Sequence, residues 1–400
     1  MAVGLGLSIG TVNTVSALAD DRTAKAPPGR RRAAERAPAI TRRTTLTFDS
    51  TGLARVGAIP RHGRAITEFA DLSQRTAASA RVGHRALTAA DLVATVADCL
   101  ILEARRDPRA VAAGITLTHP VGYTDLQVGD LRAALDAIGL NRVALVAEPI
   151  AAAAWLEAER GPLMPGLALV YDLGGSSLDV TLLRVGAGCP ENPIVGVPVR
   201  SADFGGRAFG SLVAARAGNS SRAAHLSGAV RGATADELRT DHVRASLELV
   251  YRCLRMADVT MADVDCVLVV GGAARPSEVP QVLSDELARP VIIAPDPERT
   301  IADGAAIIAR RAAAAGEDPA HARRRVGAHR RAEESELVPA WMRAAPQPGR
   351  RSRTTRALLL SWRTRRRLTR AATALGMSAG GVALAFALPA DAVIAGLGLG

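Results

Sequence analysis

Apolar residues follow two different spacings through residues 1–315. Short apolar runs, which are typical of buried strands, alternate with segments in which apolar residues recur at helical spacing. The runs that predict strands are 3–9, 110–118, 142–146, 167–173, 180–185, 266–270 and 291–294. The segments that predict helices are 88–105, 128–138, 149–159, 240–256, 279–287 and 302–311. This alternation predicts an α/β protein with mainly buried sheets.

The region after residue 315 has a different pattern. Residues 316–370 are rich in arginine and lack a sustained apolar face, which predicts a linker. Residues 371–390 form a run of 20 without a charge, and a short tail follows at 391–400. Such a run predicts a transmembrane helix, with the N-terminal body in the cytoplasm and anchored to the plasma membrane by one C-terminal span. Because the run is rich in Ala and Gly, an amphipathic or buried helix and a disordered tail stay as alternatives.

Charge is distributed unevenly along the 400 residues. The net charge is +11, but residues 310–370 contain 17 Arg and 5 acidic residues, so the rest of the chain is close to neutral. Aromatic residues make up only 3% of the chain, which argues against a base-stacking surface. We therefore expect no nucleic-acid partner for the body, whereas the Arg-rich segment is suited to anionic membrane lipids. A protein that works solely through arginine-driven binding of nucleic acid or lipid is a separate hypothesis.

Three glycine-containing turns follow apolar strands. Glycine lets backbone N–H groups approach an anion, hydroxyl groups add donors, and carboxylates can hold a hydrated Mg²⁺. The turns comprise Gly10, Thr11 and Val12; then Gly174, Gly175, Ser176 and Ser177, flanked by Asp172 and Asp179; then Gly271, Gly272, Ala273 and Arg275. Each turn alone is typical of an ordinary hairpin or strand-to-helix connection. The prediction of a phosphate site therefore depends on their joint order and spacing.

In that order the turns resemble the two phosphate loops and the adenosine loop of the actin-like ATPase superfamily. The closest likeness is to the DnaK-type seventy-kilodalton heat shock chaperones. Three more segments are similar to motifs of that family, namely 147–154 with Glu148-Pro149, 202–209 with Gly205-Gly206, and 302–309. The resemblance implies a two-lobed, ribonuclease H-like fold in residues 1–315. Lobe I would cover about 1–160 and lobe II about 166–300, with the last helix returning to lobe I.

The resemblance also implies that ATP and Mg²⁺ bind between the lobes. Asp172 and Glu148 would be the catalytic pair, with Asp172 facing the magnesium shell and Glu148 orienting the attacking water. Asp179 would contact the metal ion through water. The residues implied around the phosphates are Gly10, Thr11, Val12, Gly174, Gly175, Ser176, Ser177, Gly205 and Gly206. Those implied around the adenosine are Gly271, Gly272, Ala273 and Arg275, with the Arg275 guanidinium stacked on the base.

Two departures from the family pattern bear on hydrolysis. Ser8 stands where the family has an aspartate, and a hydroxyl group brings no charge and is a poor general base. The only lysine, Lys25, follows the first turn too closely to act as the family's phosphate-contacting lysine. Arg61, Arg64 or Arg75 could bind phosphate with two hydrogen bonds, but an arginine does not release a proton near neutral pH. Binding of ATP is therefore better supported than its hydrolysis.

The sequence leads to one main function and two alternatives. Only 61 residues separate Phe209 from Gly271, so the second lobe is shortened, and no series of strands after residue 316 predicts a peptide-binding domain. We expect an ATP-binding, chaperone-like protein, a slow ATPase in protein folding or quality control, with ADP, clients and co-chaperones as further partners. A non-catalytic nucleotide-sensing scaffold, or pseudo-ATPase, at the membrane is the alternative. A sugar or acetate kinase of the same superfamily fits the Glu148-Pro149 segment less well.

Overall fold

The computed structural model describes residues 2–20, 39–58, 65–74, 79–82, 85–224 and 234–316, with the backbone alone for 218–224. All of them belong to one unit, Met1–Gly349. The predicted linker beyond residue 316, the candidate transmembrane helix at 371–390 and the tail at 391–400 lie outside the described residues. Within the described residues, none of the helices combines the length and apolar character needed to cross a bilayer.

Two five-stranded sheets form the framework of the described residues. The strands are β1 (Gly4–Ile9), β2 (Asn13–Ala19), β3 (Ala39–Arg43), β4 (Leu46–Phe48), β5 (Ala54–Val56), β6 (Ala80–Val82), β7 (Arg85–Leu87), β8 (Gly114–His119), β9 (Ala144–Ala147), β10 (Gly166–Leu173), β11 (Leu178–Val185), β12 (Ile194–Ser201), β13 (Cys266–Val270) and β14 (Val291–Ile293). The first sheet has the order β3-β2-β1-β8-β9 and the second the order β12-β11-β10-β13-β14. Two small hairpins, β4-β5 and β6-β7, accompany the first sheet.

The two sheets have the same strand directions as well as the same order. In each sheet the central strand, β1 or β10, has antiparallel pairing on one side and parallel pairing on the other. The first two strands in the order given above pair antiparallel up to the central strand, and the last two pair in parallel with it and with each other. Such mixed sheets, repeated within one chain, confirm the predicted α/β class and are consistent with an actin-like ATPase fold. The hairpin turns β1–β2 and β10–β11 consequently occupy matching positions.

The helices begin at recognisable signals in the sequence. They are α1 (Ala89–Ala104), α2 (Asp125–Ala137), α3 (Glu148–Arg160), α4 (Gly206–Ala224), α5 (Ala235–Met256), α6 (Glu278–Leu287) and α7 (Thr300–Ala315). Thr88, Thr124 and Thr234 each form a capping box, in which the threonine hydroxyl and an acidic or amide side chain three residues later satisfy the first backbone N–H groups. Helix α3 instead begins with Glu148-Pro149, where the missing N–H of proline costs nothing.

Helices α3 and α7 pack together between the two sheets. Helix α7 lies against β1, β2 and β8, where its Ala302 and Ala306 share a core with Val15 and Ala17. Strand and helix are so close that a Cβ atom added to Gly6 would lie 2.1 Å from the Ala302 carbonyl oxygen. Trp155 and Leu156 of α3 join a separate core that includes strands of the second sheet. The last helix of the described chain therefore packs on the first sheet, although it follows the second sheet in sequence.

Candidate functional site

The hairpin turns after β1 and β10 have the same hydrogen-bond geometry. The N–H of Gly10 donates to the Asn13 carbonyl at 3.0 Å, and the N–H of Gly174 donates to the Ser177 carbonyl at 2.9 Å. The turns also touch each other, because the Ser176 hydroxyl donates to the Thr11 hydroxyl oxygen at 2.9 Å. These two predicted phosphate turns, 165 residues apart in sequence, are therefore in direct contact.

Close packing explains the second glycine of the β10–β11 turn. A Cβ atom at Gly175 would lie 2.3 Å from a methyl carbon of Val12, which is shorter than any real contact of this kind. Val12 and Gly175 therefore fit against each other only while one of them lacks a side chain. Both residues are predicted to belong to the same site, and the structure brings them together.

The third turn meets the second at the ends of two parallel strands. Gly271 follows β13 with a φ of 95°, a conformation that favours glycine. A Cβ atom there would lie 2.3 Å from the Leu173 carbonyl oxygen and 2.6 Å from a carboxylate oxygen of Asp172. Ala273, one residue beyond Gly272, lies near the start of α4, since a Cβ atom on Gly206 would be 3.3 Å from its methyl group. All three predicted turns thus converge on one region.

Gly205 and Gly206 contact the second turn. The N–H of Gly206 donates to the Gly174 carbonyl at 3.0 Å, and the next N–H along α4 donates to the Gly175 carbonyl at 2.8 Å. A Cβ atom on Gly205 would lie 2.4 Å from the carbonyl carbon of Ser176. These contacts hold the second turn against the start of α4.

Three carboxyl groups line one small cavity beside these turns. Glu148 begins α3, whereas Asp172 and Asp179 are cross-strand partners in β10 and β11. The cavity is completed by the hydroxyl-bearing Thr181 and by apolar side chains, among them Pro149. Two elements that are remote in sequence, a helix N-terminus and a hairpin, therefore place three acidic groups around the same space.

The carboxyl groups of this cavity hold their protons more strongly than usual. Burial raises the pKa of Asp172 to about 7, and the neighbouring Asp179 carboxylate adds to the rise. Burial also raises the pKa of Glu148 well above its ordinary value, with Asp172 and Asp179 as further causes. Burial raises the pKa of Asp179 as well, while the Arg200 guanidinium lowers it. Such a site favours the arrival of a cation, which offsets the repulsion among ionised groups.

The donor set of the cavity suits hydrated Mg²⁺. This ion prefers carboxylate and water oxygens and usually keeps several of its waters. Within the described part of the chain, no group of three or more His, Cys, Asp or Glu side chains has the geometry to hold a metal ion directly. Contact with a metal ion through water, the role predicted for Asp172 and Asp179, stays a prediction.

Arg200 and Asp71 are functional candidates that the sequence analysis missed. The Arg200 guanidinium donates to Asp71 at 2.7 Å and to Asp179 at 3.2 Å. Asp71 follows Phe69 and Ala70, which belong to the core of the first sheet, whereas Arg200 and Asp179 belong to the second. The ion pair consequently links the two sides of the site.

Arg275 lies at the edge of the site and is more than half exposed. Its guanidinium pairs with Glu298 and lies 3.8 Å from a carboxylate oxygen of Asp296. The residue is therefore held beside the third turn by acidic partners. Its predicted stacking on an adenine base stays a prediction.

The residues that mark the departures from the family are only partly described. Ser8 is buried in β1, and its carbonyl oxygen accepts a hydrogen bond from the Thr14 hydroxyl at 3.4 Å. Lys25 and the three candidate replacements for the phosphate-contacting lysine, Arg61, Arg64 and Arg75, lie outside the described residues.

Known proteins resemble this chain over most of the described residues. The profile of the family described as "Hsp70 protein" matches residues 67–217 and 212–317. A chaperone protein HscA homolog of Chromobacterium violaceum is 30% identical over 231 residues, covering 48% of this chain and 36% of the relative. The chaperone protein HscA of Escherichia coli O6:H1 is 29% identical over 256 residues, covering 55% of this chain and 41% of the relative. The chain thus spans about two fifths or less of the length of these relatives.

Proposed function

Because the chain belongs to the Hsp70 family, we propose that it is a chaperone-like protein that binds ATP with Mg²⁺ in a cleft where the three turns converge and hydrolyses it slowly. The observation that carries the proposal is the convergence of the turns at Gly10, Gly174 and Gly271 beside a cavity with three carboxyl groups. Backbone N–H groups of glycine-rich turns suit phosphate oxygens, and the carboxylates suit the metal ion that accompanies ATP.

Each turn has a separate role in the proposal. The first two turns would hold the phosphates through backbone N–H groups and through the hydroxyl groups of Thr11, Ser176 and Ser177. Gly205 and Gly206 would keep the second turn in shape through the bonds to its carbonyls. The third turn, from Gly271 and Gly272 to Ala273 and Arg275, would bind the adenosine.

The carboxyl groups would carry the chemistry. Bound Mg²⁺ supplies positive charge at the phosphate oxygens, and Asp172 and Asp179 would orient it through its water molecules. Glu148 would position the water molecule that attacks the terminal phosphate. Since burial raises its pKa, this carboxyl group would accept a proton from that water more readily than an exposed carboxylate would.

The alternative is a nucleotide-sensing scaffold that binds ATP without hydrolysing it. One observation favours it: Ser8 places a neutral hydroxyl-bearing residue in β1 at the position that matches Asp172 in β10. Under this alternative the nucleotide would set the arrangement of the two sheets, and a partner protein would recognise it. Clients, co-chaperones, ADP and, for the Arg-rich segment, anionic lipids are partners that both versions propose.

Two measurements on the full chain test the proposal. ATP with Mg²⁺ at millimolar concentration should raise the melting temperature, since a ligand that binds only the folded state stabilises it. Slow, magnesium-dependent phosphate release that Asp172→Asn abolishes would support the ATPase, and binding without release would support the scaffold. No stabilisation at millimolar nucleotide would refute both.

A further inference from the structure

A row of residues across three strands differs between the two sheets. In the second sheet, Asp172 pairs with Asp179 across β10 and β11, and Asp179 pairs with Arg200 across β11 and β12. The matching row of the first sheet consists of Ser8 in β1, Val15 in β2 and Thr41 in β3. Cross-strand partners project from the same face of a sheet, so Arg200 extends over the cavity side of Asp179. The second sheet therefore adds a cation directly beside the carboxyl groups.

The position of Arg200 suits a ligand that enters the cleft. Its side chain is a quarter exposed, whereas the Asp71 carboxylate that it bonds is almost fully buried. Its charge acts on all three carboxyl groups of the cavity and lowers the pKa of Asp172, Asp179 and Glu148. The guanidinium is thus within electrostatic range of the whole acidic cluster while part of it stays accessible.

Asp71 has enough other partners to release Arg200. Its carboxylate accepts hydrogen bonds from the Ser73 N–H at 3.0 Å, from the Ser73 hydroxyl at 2.6 Å and from the Gln74 amide at 3.2 Å. Loss of a charged partner is costly when it leaves a buried carboxylate unsatisfied. Here three donors would stay in place, so the bond between Arg200 and Asp71 is one that a competing anion can replace.

A triphosphate would be such an anion. It brings several negative charges close to a small cavity that three carboxyl groups line, and Mg²⁺ offsets only two of the charges on the triphosphate. Arginine binds phosphate with two parallel N–H donors, and these charge-assisted bonds are stronger than neutral ones. The single lysine of the chain follows the first turn closely, so the positive charge opposite the phosphates has to come from elsewhere.

We propose that Arg200 binds the terminal phosphate group of ATP and that it gives up its bond to Asp71 when the nucleotide enters. This inference rests on the proposed function, because it concerns the same cleft. Arg200 would then make the protein bind ATP more tightly than nucleotides with fewer phosphate groups. It also means that nucleotide binding removes one link between the two sides of the cleft.

The test compares the affinity of the full chain for ATP, ADP and AMP, each with Mg²⁺, by isothermal titration calorimetry. Arg200→Gln should weaken ATP binding about 10- to 100-fold and AMP binding much less, because a charge-assisted phosphate contact is lost. Arg200→Lys should recover part of the ATP affinity. Asp71→Asn should leave ATP affinity equal or higher, since it removes the competing carboxylate. The control is Arg244→Gln, which removes an exposed ion pair with Glu286 and should leave the ATP-to-AMP ratio unchanged.

Three outcomes decide the inference. An ATP-to-AMP ratio that Arg200→Gln leaves unchanged would refute it, even if the melting temperature falls, because Arg200 would then only brace the fold. Should Arg200→Gln fail to fold, Asp71→Asn decides, because a bracing role predicts weaker ATP binding in that variant and a phosphate-binding role predicts equal or tighter ATP binding. If the wild-type chain binds no nucleotide, the proposed function fails together with this inference.

Discussion

The two sheets share their strand order and their hairpin geometry but differ in charge at the matching positions. The row Asp172, Asp179 and Arg200 in the second sheet is replaced by neutral residues in the first. The turns themselves close with nearly the same hydrogen bond, at 2.9 Å and 3.0 Å. The two sheets therefore share their backbone shape but not the charge of the side chains at matching positions.

This difference assigns distinct tasks to the two turns. Backbone N–H groups are available to a hairpin whatever its side chains are, so the first turn can contribute to anion binding without a carboxylate. The proposed metal binding and proton transfer would need carboxyl groups, and the carboxyl groups of the cavity come from the second sheet and from α3. The site is thus acidic on the side of the second sheet and α3, and we expect this asymmetry to limit the rate of ATP hydrolysis.

The largest effect is expected from placing a carboxylate in β1 at Ser8, the position that matches Asp172 in β10. Ser8→Asp should speed magnesium-dependent phosphate release by about 100-fold, since a positioned general base contributes on that order. The same change should lower the melting temperature without Mg²⁺, because it adds a carboxylate at a buried position. Phosphate release by the purified full chain measures the first effect and a thermal scan the second.

Ser8→Asn is the matched control, since it has the size of Asp without the charge. It should give no gain in rate. If Ser8→Asp folds, binds ATP and hydrolyses it no faster than the wild type, the neutral first turn is not what limits hydrolysis.

A smaller effect is expected from removing the charge of Asp172 in β10 when no metal ion is present. The pKa of Asp172 is raised to about 7 from an ordinary value of 3.8, so the folded protein binds more protons than the unfolded chain between these values. The free energy of unfolding should therefore fall as the pH rises from about 4 to about 7. Asp172→Asn, which resembles the protonated acid, should weaken this fall and raise the melting temperature at pH 8 by about 4 °C or more.

Thermal scans in EDTA between pH 4 and pH 8 measure this dependence. Asp285→Asn, which changes an exposed carboxylate on α6, is the control and should follow the wild type. Equal melting temperatures of Asp172→Asn and wild type at pH 8 would contradict the raised pKa.

The smallest effect is expected from adding a methyl group to the first glycine of each turn, which compares how closely the two backbones are packed. A Cβ atom on Gly10 would lie 2.9 Å from the Asn13 carbonyl oxygen, whereas one on Gly174 would have its nearest contact at 3.3 Å. Gly10→Ala should therefore lower the free energy of unfolding by about 1–2 kcal/mol and Gly174→Ala by about 1 kcal/mol or less. Urea unfolding of both variants measures the difference, and a larger loss for Gly174→Ala would contradict it.

Local sequence patterns predicted much of the framework. The strand at 266–270 has the bounds of β13, and the predicted helix at 149–159 differs from α3 by one residue at each end. The glycine turns were also recognisable, because strand, turn and flanking carboxylate are contiguous in the chain. Strands β2 to β7, strand β12 and helix α4 were not predicted.

The position of Arg200 could not be predicted for a structural reason. Strand β12 contains Gly196 and Pro198, which weaken the pattern of a strand. Its register against β11 shifts between Val180 and Leu182, and this irregularity determines which residue faces Asp179. The contact with Asp71 then joins residues 129 positions apart. The valines at alternate positions before Arg200 indicate a strand, but they do not indicate which residues this strand contacts.

The crossing of α3 and α7 has a mechanical consequence for the cleft. A Cβ atom on Gly304 would lie 1.8 Å from the Ala151 carbonyl oxygen, so the two backbones touch with no side chain between them. Such a contact fixes the separation of the helices but leaves their crossing angle to be set by residues farther away. Any side chain at position 304 would force the two helices apart at this point. Because Glu148 begins α3, such a displacement would also move one of the three carboxyl groups of the cavity.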